Sequence, residues 1–475
     1  MLFTQPVFFG FFLVVFSFYY LPPLRRFQLP SLLVASFVFY AYGQPYLLLL
    51  LVISAALSAV TSYAVMTAPR PGAKRYWAIA GVILNLAILG FFKYGGLIDR
   101  SFLGIGPQSG TLGLLLALPL PIGISFYTFH GISLIVDVSR TPGAVATPIT
   151  PHPTPGQHLR NTLLYLTFFP QLVAGPIVKA HNFYPQIAPK SFAAIDWTGA
   201  VKALIVGYFL KRVVADNLQN ATILLSYPAL LTQSSFNLLA LDFGYAMRIF
   251  ADFAGYSLIA IGLAKLLGYE LPRNFNFPYI SESFSEFWTR WHMSLSSWLR
   301  EYLYYPLGGN RRGAGRTYLN LMTVMCLGGL WHGAAWSYAL WGGCHGLALV
   351  VERLVRGPRF YTSRHLLLRI VRTALVFGTV TLIWVFFALP RFGDAAAFFA
   401  ALGRNWRLPF QAGPVLVIAL YAAPVIAYHG WYLWRRAGSP LAFRISRFEP
   451  IAYGVLASAI LLNAGPIDAF IYFQF

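Results

Sequence analysis

Leu327-Gly-Gly-Leu-Trp331-His332-Gly333-Ala-Ala-Trp336 lies inside an apolar stretch that runs from Tyr318 to Val351. Arg316 and Arg353 flank that stretch. Basic residues at both ends favour an even number of membrane crossings, so the Trp-His-Gly turn is expected well inside or beyond the bilayer midplane. Small residues around His332 (Gly328, Gly329, Gly333, Ala334, Ala335) let helices approach closely or let a chain-like substrate pass. An ionisable side chain at that depth is expensive to keep and is a functional candidate by default. Composition agrees about the solvent. The 475 residues are 58% hydrophobic, 17% aromatic and only 10% charged, against about 25% charged residues in a soluble domain. The expectation is an all-α polytopic membrane protein, since helices satisfy their own backbone groups in lipid.

Candidate spans, at roughly 20 apolar residues each, are Phe3–Leu21, Ser31–Tyr42, Tyr46–Met66, Trp77–Phe92, Leu112–Val136, Leu163–Val178, Ala200–Val214 and Phe236–Leu267. Tyr318–Val351, Leu366–Leu389, Val415–Trp434 and Ile451–Leu462 follow. Some are short, and the prolines and glycines of Leu120-Pro-Ile-Gly-Ile and Phe169-Pro-Gln-Leu-Val-Ala-Gly-Pro176 predict broken or re-entrant segments. Such backbone survives at membrane depth only when buried in protein or lining a wet cavity. About 11–13 membrane segments are expected in one integral membrane domain over residues 1–475. The five prolines of Thr141–Gln157 read as an exposed loop.

The net charge of +21 is not that of a nucleic-acid binder, which would gather its cations on a soluble face. Here the cations fall in short runs between spans, as in cytoplasmic loops that also attract anionic lipids. This arrangement places both termini outside. The two cysteines, Cys326 and Cys344, lie in apolar stretches and read as small buried hydrophobes. Phe3–Leu21 has neither a basic start nor an Ala-x-Ala-like site after it, so it reads as a retained anchor.

A second histidine, His292, follows Ser283-Phe-Ser-Glu286, which has the spacing of a capping box. Apolar residues then recur with helical period at Phe284, Phe287, Trp288, Trp291, Leu295, Trp298, Leu299 and Tyr302. The expectation is one amphipathic helix with His292 at the edge of its aromatic stripe. His292 is a candidate site residue there, or an edge histidine bonded to a neighbouring carbonyl. Between the histidines runs Pro306-Leu-Gly-Gly-Asn310-Arg-Arg-Gly-Ala-Gly-Arg316. Its flexible N–H groups and the guanidinium forks of Arg311, Arg312 and Arg316 suit the phosphates of a nucleotide-bearing donor. An ordinary positive-inside loop would look the same. A neutral imidazole at His332 is suited to take a proton from an attacking hydroxyl and return it to a leaving thiolate. The alternative is a buried histidine bonded to a carbonyl.

Other polar groups carry less. Arg248 and Asp252, four apart in an apolar helix, are expected to neutralise each other. His345 would not share a face with His332 on a continuous helix, and His130 and His181 are weaker candidates still. No paired-histidine metal motif, Gly-x-Ser-x-Gly elbow or P-loop is present, so metal catalysis and a serine nucleophile have no support.

Three stretches carry a family likeness: Asn274-Phe-Asn-Phe-Pro-Tyr-Ile280, the run from Arg290-Trp-His292 to Asn310-Arg-Arg312, and Gly328-Gly-Leu-Trp-His-Gly-Ala-Ala-Trp336. Together they resemble the membrane-bound O-acyltransferase (MBOAT) superfamily, in its bacterial branch containing alginate O-acetylation membrane proteins. The likeness covers about residues 120–352. It implies a multi-helix bundle with a central funnel or tunnel reaching His332 as the catalytic histidine, with His292 as the family's second histidine. It also implies acetyl-CoA as donor from the cytoplasm. The acyl group would pass outward across a bacterial inner membrane to a separate extracytoplasmic polysaccharide acetyltransferase or related secreted-polymer machinery. Asn310, Arg311, Arg312 and Arg316 would then hold the donor. Phe470-Ile-Tyr-Phe-Gln-Phe475 resembles the aromatic C-terminus common in that branch. It is an interfacial anchor, or else Tyr472 is an acyl relay with a nucleophilic phenol. The rival readings are a non-enzymatic transporter or flippase for a polymer precursor, and a scaffold that recruits a soluble transferase.

Overall fold

The computed structural model describes residues 1–104, 120–141, 143–173, 175–355, 365–438, 441 and 445–466. Among them the structure is helical, with no strand beyond a single bridge between Thr147 and Thr150. The chain groups into two compact units, Met1–Leu204 with Ile259–Pro272, and Ile205–Leu258 with Arg273–Phe475.

The first unit contains α1 (Pro6–Tyr20), α2 (Gln28–Ala41), α3 (Pro45–Thr67), α4 (Pro71–Leu89), α5 (Ile124–Arg140) and α6 (Pro155–Thr167). Four of these start on proline, whose missing N–H costs nothing in a first turn. The proline-rich stretch expected as a loop is partly built into the fold. Thr147 and Thr150 are buried and bonded to each other, and Thr154 with Gln157 forms a full capping box for α6. Both expected breaks are present. Gly123 (φ 77°) turns the chain into α5, and α6 ends at Thr167 before a short turn over Phe169–Leu172. A Cβ on Gly123 would lie 2.7 Å from the Leu172 carbonyl oxygen, so the two breaks pack on each other. His130 and His181 have local partners in this unit. His130 Nε2 accepts the Val178 N–H, and His181 Nδ1 lies 2.8 Å from Asp137.

In the second unit, α7 (Trp197–Tyr208), which begins in the first, continues into a wide π-helical turn over Phe209–Ala215. The long helix α8 (Ser235–Leu266) follows, with its end from Ile259 on belonging to the first unit. Then come α9 (Phe284–Arg290), α10 (Met293–Leu299), α11 (Ala314–His332), α12 (Trp336–Val355), α13 (Leu366–Ala388), α14 (Phe392–Arg404), α15 (Ala412–Arg436) and α16 (Glu449–Leu462). Five described helices are long and apolar enough to cross a membrane, six if the bent pair Pro6–Tyr20 and Pro22–Ala41 is one span. The apolar window of α8 is 89% buried, against 22–44% for the other four, so α8 is interior and the others leave wide apolar faces for lipid.

The ion pairing on α8 corrects one expectation. Asp252 pairs with Lys211 of the π-helical turn (2.6 Å), while Arg248 donates to Gln219 Oε1. Gly255 lets this happen. A Cβ there would meet Gly207 O and Lys211 N at 2.8 Å, so its absence lets the backbones close until Lys211 reaches Asp252.

Candidate active site

The aromatic stripe around His292 is not one helix. α9 stops at Arg290, Trp291 is extended, and His292 sits in the left-handed region (φ 42°, ψ 54°) as the residue that starts α10. Nothing in the local periodicity marks this break. Its cause is a neighbouring segment, because the backbone of 274–276 bonds to the broken turn in place of helix bonds. Asn276 N donates to Arg290 O (2.9 Å), and Met293 N donates to Asn274 O (2.8 Å). The expected capping box is half formed. Ser283 accepts from Glu286 N, but the Glu286 carboxylate turns to the Glu282 N–H and the Arg290 guanidinium.

The break moves His292 from a helix edge to full burial. Its Nδ1 lies 2.9 Å from Asn274 Oδ1, and the same oxygen accepts from the Ser294 hydroxyl. Asn274 Nδ2 donates to Ser257 of α8, which fixes the amide's orientation. An acceptor at Nδ1 assigns the ring proton there, and leaves the neutral ring's lone pair on Nε2. Nε2 is buried and makes no hydrogen bond among the described residues.

His332 is the last residue of α11. Gly333 then turns extended, and α12 runs back along α11 as a hairpin. Glycine makes the hairpin tight. A Cβ on Gly329 would fall 2.0 Å from Tyr338 O, and one on Gly342 would fall 2.1 Å from Met325 O. His332 is 4% exposed, with ring centroids 5.1 Å from Trp331, 5.2 Å from Trp341 and 5.5 Å from Phe387. The two histidine rings lie 6.1 Å apart. His345 enters the same surroundings because the helix is not continuous. It is fully buried against Trp341 (4.8 Å) and Trp288 (5.1 Å).

A cavity of about 380 Å³ joins this region to the basic loop. His332, Trp341 and Gly328 line its buried part, and Arg300, Tyr305 and Asn310 line its exposed part. Of the four residues expected to hold a donor, Asn310 lines the cavity. Arg311 and Arg312 follow it on the exposed loop, Arg316 is exposed in the first turn of α11, and none of the three lines the cavity. Arg300 and Tyr304 are lining residues that the sequence reading missed. They lie on a π-helical turn, Arg300–Tyr304, that extends α10, and the loop beyond is held by Asn320 Nδ2 on Gly309 O. Gly308 (φ 104°) and Gly309 (φ 57°) supply its reversal. Tyr472 lies outside the described residues. Cys326 and Cys344 are free thiols.

A cavity with a buried histidine at one end and an exposed arginine at the other, within apolar helices, fits the class of membrane-embedded group-transfer enzymes. The comparison with known sequences gives that class its name. The MBOAT, membrane-bound O-acyltransferase family model matches residues 156–389. The chain is also 35% identical to a protein of Pseudomonas putida called "Probable alginate O-acetylase AlgI", over 90% of this chain and 86% of the relative. A peptidoglycan O-acetyltransferase of Helicobacter pylori is 34% identical over 75% of this chain and 70% of its own length. A teichoic acid D-alanyltransferase of Bacillus subtilis is 29% identical over 48% of this chain and 58% of its own. The chain belongs to the membrane-bound O-acyltransferase family and is an integral membrane O-acyltransferase.

Proposed function

We propose that the protein takes an acetyl group from cytoplasmic acetyl-CoA for O-acetylation of an extracellular polysaccharide, with His332 as general base. The observation that carries this reading is one cavity reaching from buried His332 to Arg300 and Asn310. A cavity of that size takes a thioester and its pantetheine arm. The nucleotide then rests on the exposed loop and the start of α11, against the guanidinium forks of Arg311, Arg312 and Arg316.

The chemistry balances on one histidine. The acceptor O–H gives its proton to His332 as its oxygen attacks the acetyl carbonyl carbon. The C–S bond breaks, and His332 returns the proton to the departing thiolate of CoA. His292, with Nδ1–H held by Asn274, offers its Nε2 lone pair as a fixed acceptor for a hydroxyl near the reacting centre. The names of the relatives, alginate and peptidoglycan O-acetylases, support a glycan as the final acceptor. The route outward runs through a separate extracytoplasmic acetyltransferase or related secreted-polymer machinery, with Tyr472 as acyl relay. On this reading the protein sits in a bacterial inner membrane with both termini outside and its basic loops against anionic lipid.

The test is release of free CoA from acetyl-CoA by protein in nanodiscs supplied with its acceptor, wild type beside His332→Ala, with the acetyl label traced. Loss of turnover in the variant is expected. Equal turnover in both would remove His332 from its role, and transport without turnover would favour a precursor flippase.

A further inference from the structure

Two apolar grooves run beside α13, and their charges differ. The groove toward α12 carries Glu282, Glu352 and Arg372, two carboxylates against one guanidinium. The groove toward α15, about 680 Å³, carries Glu282, Arg369 and Arg436. α13 begins at Leu366 and α15 finishes at Arg436, so a helix start and a helix end bring both arginines to one mouth. Glu282 is already held there. It takes Arg369 Nε at 2.7 Å and Arg372 Nη2 at 3.3 Å. Among the described residues both Nη groups of Arg369 stay unbonded. Arg435 faces Glu449 at 3.9 Å, whereas Arg436 has no ion pair or hydrogen bond among the described residues. The mouth is therefore cationic, with guanidinium N–H groups free to take an anion.

Below the mouth the walls are apolar: Ile370, Ala374 and Phe377 of α13 and Leu433 of α15. Phe377 lies eleven residues beyond Leu366, about 16 Å along the helix at roughly 1.5 Å per residue. That is half of a hydrocarbon layer about 30 Å thick, the depth of one leaflet. Trp431 and Trp434 precede the arginines of α15, and tryptophan is enriched at headgroup level. A cationic mouth at that level, over an apolar groove one leaflet deep, matches a lipid with an anionic head. We propose that the groove between α13 and α15 binds one anionic phospholipid, its phosphate between Arg369 and Arg436 and an acyl chain against Phe377. An anion free in solution would gain nothing from these walls. A zwitterionic lipid would bring a further cation to a mouth that already has a surplus. Tyr279 and Ile280 also line the groove, so the seat exists only in the folded protein and its occupant adds stability.

The test is native mass spectrometry and thermal unfolding in detergent, with phosphatidylglycerol or phosphatidylcholine added to wild type, Arg436→Gln and Ala374→Phe. Arg436→Gln removes no described bond and Ala374 is exposed, so neither change disturbs the core. Wild type is expected to retain one phosphatidylglycerol, to prefer it to phosphatidylcholine and to melt higher with it. Arg436→Gln should weaken phosphatidylglycerol about fivefold, the worth of one cation near an anionic headgroup, and leave phosphatidylcholine unchanged. Ala374→Phe should lose the lipid with every charge in place, because the ring fills the groove. Four results would each overturn the proposal. Equal retention of both lipids by wild type would show that the arginines select nothing. Wild-type retention of phosphatidylglycerol in both variants would put the lipid elsewhere. Loss in Arg436→Gln with full retention in Ala374→Phe would show headgroup attraction without a seat in the groove. Inorganic phosphate that raised the melting temperature as much as phosphatidylglycerol would show an anion site without a lipid.

Discussion

His292 spends backbone energy to stand where it does. A non-glycine residue at φ 42° is disfavoured by roughly 1–2 kcal/mol, and the bonds from 274–276 hold it there. This separates ring from backbone. His292→Gly should be about 1 kcal/mol more stable than His292→Ala, since glycine adopts that conformation freely, while both lose the same activity. Paired thermal unfolding and turnover of the two variants check it. Asn274→Ala leaves the buried Nδ1–H of His292 and the Ser294 hydroxyl without their shared acceptor. At about 1–3 kcal/mol for an unsatisfied buried group, turnover should fall at least tenfold, with a lower melting temperature. Wild-type turnover in Asn274→Ala would show that the ring needs no such support. His332 was legible from sequence because an ionisable side chain at membrane depth stands out. The burial of His292 was not. Its aromatic neighbours keep helical period straight through the break, and no glycine or proline marks it.

At the scale of elements, the α11–α12 hairpin is set by glycine rather than by side-chain interlocking. Gly329→Ala and Gly342→Ala must each push a methyl into a facing carbonyl at 2.0–2.1 Å. A separation of these helices forfeits packing worth several kcal/mol, so both variants should fail to retain a compact form in a detergent thermal-stability assay. Gly315→Ala, with nothing within 4 Å, is the control and should be neutral or slightly stabilising. The small residues flanking His332 foretold a close approach. The position of His345 is not legible from spacing along one continuous helix, because the turn at Gly333 brings α12 back beside α11. Arg300 was missed for another reason. In the sequence it is one of many cations, and only the π-helical turn puts it on the cavity. Arg300→Ala should raise KM for acetyl-CoA by about tenfold while changing kcat little, the pattern of lost uniform binding. A kcat loss at constant KM would contradict that role.

For the whole molecule, the charge of +21 spread among loops predicts which compartment supplies the donor. Inside-out vesicles should consume external acetyl-CoA, and right-side-out vesicles should not until permeabilised. Equal consumption by intact vesicles of both kinds would overturn the assigned orientation. Composition alone disclosed the membrane, since no soluble core hides 58% hydrophobic residues. The number of long spans was less legible, because hydropathy counts apolar residues and does not register where a helix stops. α9 and α10 show the consequence. Each has seven residues, about 10 Å of helix at roughly 1.5 Å per residue, and even with the five-residue π-helical turn that extends it α10 falls well short of a hydrocarbon layer about 30 Å thick. Neither qualifies for insertion on its own hydropathy. The segment bearing His292 is instead held by what it packs against, through the backbone bonds from 274–276 and the Asn274 amide that Ser257 of α8 orients. Its seat in the membrane is thus a property of the folded protein and not of its own affinity for lipid.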